Sequence, residues 1–197
     1  MRRRTFDTLV VSAGLVLAVV LLAAGGLLTW AHSFVTNEVR TQLAAEKIYF
    51  PAKGSSALAP ATIGPYLDKY AGQQLLTGKQ AEVYADHFIA VHLQEAGGGK
   101  TYAQLSAEAL ADPTNTKLAG QVATLFQGET LRGLLLNAYA FGTMGAIAGI
   151  AAMAAFIGAG VMLLMCGLGF WHQRRTPPDA ELLGGPSSRS VASVVPR

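Results

Sequence analysis

Two stretches of this chain contain no Lys, Arg, Asp or Glu at all: Leu9 to Ala31 and Gly133 to Trp171. Each is longer than the roughly 18 apolar residues that a helix needs to cross a bilayer. Hydrocarbon offers no water to backbone N–H and C=O groups, so such segments have to be helical throughout. They also explain the composition. Charged residues make up 14 % of the chain, against about 25 % in an average soluble domain. The deficit is confined to the two stretches, which a bilayer explains better than an oversized core.

The positive charge flanks these stretches. Arg2, Arg3, Arg4, Arg174, Arg175, Arg189 and Arg197 stand in the two tails against Asp7, Asp179 and Glu181, a net charge of +4. Between the stretches, eight Lys/Arg face nine Asp/Glu, a net −1. The positive-inside rule then puts both termini in the cytoplasm and the intervening residues outside. A pI near 9.1 could suggest nucleic acid, but nucleic-acid binders gather their cations in a patch on a folded surface. The partners expected are the lipid bilayer and protein, with no nucleic acid and no cofactor.

The first stretch could instead be a cleaved signal peptide behind a basic start. Its apolar run of about 22 residues exceeds the 7–15 of a signal core. It also ends at Trp30-Ala31-His32-Ser33, where an interfacial aromatic would sit. An uncleaved anchor is expected. The second stretch spans 39 residues, about 58 Å as a helix. It reads either as one long helix whose outer part, around Leu134 to Thr143, packs on the outer domain, or as a tight hairpin. No Pro, Asn or Asp turn occurs between Gly142 and Trp171. A hairpin would also place Arg174-Arg175 outside, so a single helix is expected.

The fold class is therefore all-α: two transmembrane helices with an extracytoplasmic helical bundle domain between them, in the cell membrane. The segments are an N-terminal cytoplasmic tail (1–8), a first transmembrane helix (9–31) and an extracytoplasmic domain (32–133). A long helix containing the second span (134–171) and a disordered cytoplasmic tail (172–197) follow. Both spans carry small residues at helical spacing: Gly14, Ala18 and Gly25 in the first, Gly142, Gly145, Gly149 and Ala152 in the second. Small residues let helix backbones approach closely and pack densely. The stripes would pair the two spans within one chain or pair copies of the chain; spacing alone leaves both open.

Within the outer domain, helix signals recur. Phe34, Val35, Val39, Leu43 and Ala44 continue the first helix, and Pro51 to Pro65 reads as loop. Tyr66, Leu67 and Tyr70 suggest a short helix ending near Gly72. Thr77 with Gln80, and Thr101 with Gln104, have capping-box spacing. Tyr84, Phe88 and Val91 give the helix after Thr77 an apolar face. Gly97-Gly98-Gly99 stops that helix, Asp112-Pro113 stops the next, and Leu118, Val122 and Leu125 open the last.

Candidate chemistry is sparse. His87, His92 and Glu95 are the candidate metal ligands, because bundle metal sites use Glu/His pairs on one face. Against this, His87 and His92 are five residues apart, which on a regular helix points them about 140° away from each other. Glu82 and Asp86, an i, i+4 pair, could serve acid–base work but read as a solvated face. Gly97 to Thr101 lacks the glycine spacing of a phosphate loop. Arg132 is expected to snorkel toward the membrane interface. Cys166, the single cysteine, reads as a small apolar helix residue, with lipidation or redox sensing as alternatives. The tail beyond Arg175, with Pro177-Pro178 and Ser187, Ser188, Ser190 and Ser193, has a disordered composition.

Two further runs carry a resemblance. Tyr66 to Gln80 with Ala85 to Leu93, and Leu125 to Gly142, resemble a family of two-span membrane proteins from high-GC Gram-positive bacteria to which no activity is assigned. The resemblance implies the topology and no residue roles. The expectation is a non-enzymatic membrane protein that binds a partner or assembles as an oligomeric scaffold. The alternatives are a metal-dependent sensor or enzyme centred on His87, His92 and Glu95, and an accessory subunit of a transporter or cell-envelope complex.

Overall fold

The computed structural model describes residues 3–175, with side chains from residue 5 onward. The serines and prolines singled out in the C-terminal tail lie outside the described residues. Among those residues the chain is helical and has no β-strand. Helix α1 (Arg3–Glu46) and helix α6 (Thr116–Arg175) are both long and apolar enough to cross a membrane. Helix α6 carries Gly133 to Trp171 as one uninterrupted helix rather than a hairpin. Between the two lie α2 (Gly64–Leu67), α3 (Gly78–Tyr84), α4 (Ala90–Ala96) and α5 (Tyr102–Ala111).

The helix starts follow from the orphan N–H groups of a first turn. Thr77 accepts the N–H of Gln80, and the Gln80 side chain accepts the N–H of Thr77 at 3.0 Å. Thr101 and Gln104 repeat this at α5. Asn115 accepts the N–H of Leu118 at 3.0 Å, so α6 begins slightly before its first apolar residue. Helix α3 passes without interruption through a π-helical turn (Ala85–Ile89) into α4.

The described residues form two compact units. One consists of α1 up to Leu27 and α6 from Ala151. Here the helices run antiparallel, with Gly169 opposite Val11, Gly14 opposite Cys166 and Gly25 opposite Phe156. A Cβ on Gly14 would stand 2.7 Å from the Cys166 sulfur, and one on Gly25 2.9 Å from the Phe156 ring. Ala18, Ala152 and Ala159 are buried in this unit, and the Cys166 thiol donates to the Val11 carbonyl at 3.6 Å. Leu9, Val16, Val20, Ile157, Leu164 and Leu168 stay exposed.

The second unit, Leu28–Ile150, contains the remainder of both long helices and everything between them. Its core includes Leu43, Phe50, Leu67, Leu75, Ile89, Leu93, Leu105, Leu125 and Leu135. Leu135 belongs to the charge-free stretch, so the N-terminal part of that stretch contributes to the core of this unit. The loop after Pro51 is anchored rather than loose, because Leu58 and Ile63 are buried in the same core. Residues 48–51 and 72–75 pair briefly: Phe50 N–H donates to Gln73 O, and Leu75 N–H to Ile48 O, both at 2.9 Å.

The combined helix α3–α4 lies antiparallel along α6 through three successive contacts. Gly78 meets Gly142 backbone to backbone, Arg132 Nη2 donates to Asp86 at 2.9 Å, and Leu93 rests on Gly128. A Cβ on Gly78 would lie 2.8 Å from the Ala138 carbonyl oxygen. Backbone cannot rotate out of the way, so a side chain here forces the helices apart. Gly142→Leu is expected to cost about 1–3 kcal/mol by overpacking. Gly133→Ala meets nothing within 4 Å and is expected to gain up to about 1 kcal/mol from helix propensity. Thermal unfolding of the full chain in mild detergent should lower the midpoint for the first and hold or raise it for the second.

Candidate functional site

The histidines singled out by sequence are engaged separately. His87 stacks face to face on Tyr66, with ring centroids 3.6 Å apart and planes within 2°. His92 Nδ1–H donates to the Phe88 carbonyl at 2.7 Å, and its ring lies 4.4 Å from that of Phe88. The regular-helix angle between them does not apply, because the π-helical turn adds a residue to the winding between the two positions. His92 completes a row with Tyr84 and Phe88, while His87 turns toward α2. Among the described residues, no group of three or more His, Cys, Asp or Glu is placed to hold a metal ion.

The acidic pair is also divided. Glu82 takes a salt bridge from Lys79, and Asp86 takes one from Arg132. Arg132, expected to reach toward the bilayer, instead ties α6 to the π-helical turn and approaches Glu129 at 3.7 Å. It has carboxylate partners within the domain, so it has no need to reach lipid headgroups. Lys100 is held by both carboxylate oxygens of Glu108 at 2.7 Å. The triple-glycine segment before it ends α4, with Gly97 as the cap whose N–H donates to the Leu93 carbonyl.

The stripe glycines of α6 form a seat. His32 Nδ1 bonds to the Gly145 carbonyl at 2.7 Å; a carbonyl only accepts, so Nδ1 carries the proton. A Cβ on Gly149 would stand 2.9 Å from this imidazole, and one on Gly145 would stand 3.2 Å from Val35. In both units, then, the stripe residues face partners within the same chain.

Beside this seat opens a cavity of about 530 Å³, a volume typical of small-ligand sites. Helix α1 contributes His32, Thr36, Val39 and Arg40. The start of α3 contributes Leu76, Thr77, Gly78 and Lys79, and α6 contributes Tyr139, Gly142, Thr143 and Ala146. Two cations enter this lining and no carboxylate does. Arg40 is exposed and has no ion-pair partner among the described residues. The Lys79 ammonium lies 5.7 Å from the centre of the Tyr139 ring. The hydrogen bond from Lys79 to Glu82 raises its pKa above 10.5, so it stays charged at neutral pH. Spacing arguments do not find Arg40 or Lys79, because three segments remote in sequence build the cavity. The available signal was register: Thr36 and Arg40, and Gly142 and Ala146, are i, i+4 pairs on their helices.

No family model, no curated protein and no solved structure matches this chain.

Burial in the aromatic row raises the Tyr84 phenol above its usual 10.0. The unfolded chain ionises first, so the stability this tyrosine carries is intact below about pH 10 and is lost as pH rises through the folded value. Tyr84→Phe should therefore lose less stability than the parent chain in denaturant melts above about pH 10, and match its pH dependence near neutrality.

Proposed function

We propose that this chain is an integral membrane protein with two spans and cytoplasmic termini, whose extracytoplasmic domain binds rather than catalyses. It would act as a scaffold or accessory protein that engages its partner next to the bilayer. The observation that carries this reading is the cavity beside His32. It opens where the charge-free stretch of α1 ends and combines cations with an apolar wall. The ionisable groups elsewhere that could do chemistry, His87, His92, Glu82 and Asp86, are spent on packing and ion pairs. Two further facts support the membrane. Large apolar residues of the first unit such as Leu9, Val16, Ile157 and Leu164 are exposed, as on lipid-covered helices, and the arginines of the tails outnumber their acids.

Paired cysteine labelling tests the topology. In a Cys166→Ala background, Lys53→Cys should react with a membrane-impermeant maleimide in intact cells, and Ser190→Cys should react only after permeabilisation. Labelling of Ser190→Cys in intact cells would overturn the arrangement. Amine cross-linking in native membranes is expected to trap the chain in a discrete species larger than one copy, whereas monomer alone would count against a scaffold.

A further inference from the structure

We propose that the cavity between Arg40 and Lys79 binds an anionic glycerophospholipid, its phosphate between the two cations and an acyl chain along the apolar wall. This rests on the two-span reading and names the ligand class of that same site.

Charge comes first. The lining holds an arginine, a lysine and no carboxylate; Glu82 pairs with Lys79 from outside it, while Arg40 has no ion-pair partner among the described residues. An anion is the complement, and guanidinium presents the fork geometry that phosphate oxygens accept. Lys79 is salt-bridged to Glu82, but its ammonium has three donors and one such bridge leaves others for a ligand. The hydroxyls of Thr36 and Thr143 line the same space and can donate to further headgroup oxygens.

Height selects a lipid over a soluble phosphate. His32 directly follows the charge-free stretch, and Arg40 lies eight residues further along the same helix, about 12 Å at 1.5 Å per residue. A bilayer of about 40–45 Å with a 30 Å hydrocarbon core leaves a headgroup layer of several ångströms on each side. The Arg40 backbone thus stands about 5–7 Å beyond that layer, and a helical side chain leans back toward the N-terminus of its helix, here toward the bilayer. Beside the cations, Val39, Leu76 and Ala146 give the cavity an apolar side that a free phosphate would leave uncovered. Each cation near a phosphate adds a charge-assisted hydrogen bond to the attraction.

The test uses the full-length chain in nanodiscs of equal parts phosphatidylcholine and phosphatidylglycerol, with the lipid retained after detergent release counted by native mass spectrometry. The expected result is one phosphatidylglycerol per chain, retained in preference to phosphatidylcholine. Arg40→Glu should reduce that retention roughly tenfold. Ala146→Phe, which fills the apolar side, should reduce it while leaving the charges in place. Lys117→Glu, an equal charge change at an exposed lysine outside the cavity, should leave it unchanged. Equal retention by the parent chain and Arg40→Glu would overturn the proposal. So would displacement of the lipid by glycerol phosphate at matched concentration, which would identify a soluble-phosphate site. Extraction of the chain from native membranes by alkaline carbonate would overturn the two-span reading and this proposal with it. A chain that resists extraction yet shows no preference for phosphatidylglycerol would overturn this proposal alone.

Discussion

The Leu28–Ile150 unit depends on a contact that contains no side chain. Gly78 and Gly142 touch through their backbones, where a Cβ on Gly142 would lie 3.2 Å from the Gly78 Cα. This approach seats the start of α3 directly on α6. Because Thr77 caps α3 immediately before Gly78, the capping box and the contact fix one another. Leu76 and Lys79, on either side, are thereby fixed as one wall of the cavity, with Gly142 and Thr143 opposite. Moving the two helices apart by one methyl group would widen the cavity and loosen the Leu135 end of the core together.

The small residues of the two long helices solve the same problem by different means. In the first unit, Gly14 makes room for the Cys166 sulfur and Gly25 for the Phe156 ring. In the second unit, Gly145 and Gly149 make room for Val35 and for an imidazole. Dispersion between closely fitted surfaces supplies attraction at each of these contacts. The His32 seat adds a hydrogen bond, and it lends α6 a polar anchor just where the apolar stretch of α1 ends.

Much of the architecture was legible because local rules dictated it. Uncharged runs of 23 and 39 residues leave a chain few options besides long helices. The Thr77 and Thr101 boxes marked two helix starts, and Gly97 to Gly99 marked a stop, with Gly98 and Gly99 at φ +60° and +81°. What the sequence left hidden came from non-local packing. The π-helical turn has no composition signature, so the histidine geometry inferred from a regular helix did not apply. Arg132 looked like an interfacial cation because nothing near it in sequence suggests Asp86, 46 residues away. The cavity needed three segments brought together by the Gly78–Gly142 contact, and Gly78 itself stood out only as part of a cap.

The three contacts also bind the two facing helices to one another in sequence. Gly78, Asp86 and Leu93 meet α6 near Gly142, at Arg132 and at Gly128. A residue added or removed between them would turn the later contacts about 100° off the shared face. Through evolution, a one-residue insertion or deletion in either helix between these contacts would have to be matched in the other, while point substitutions on the outward faces would carry no such obligation.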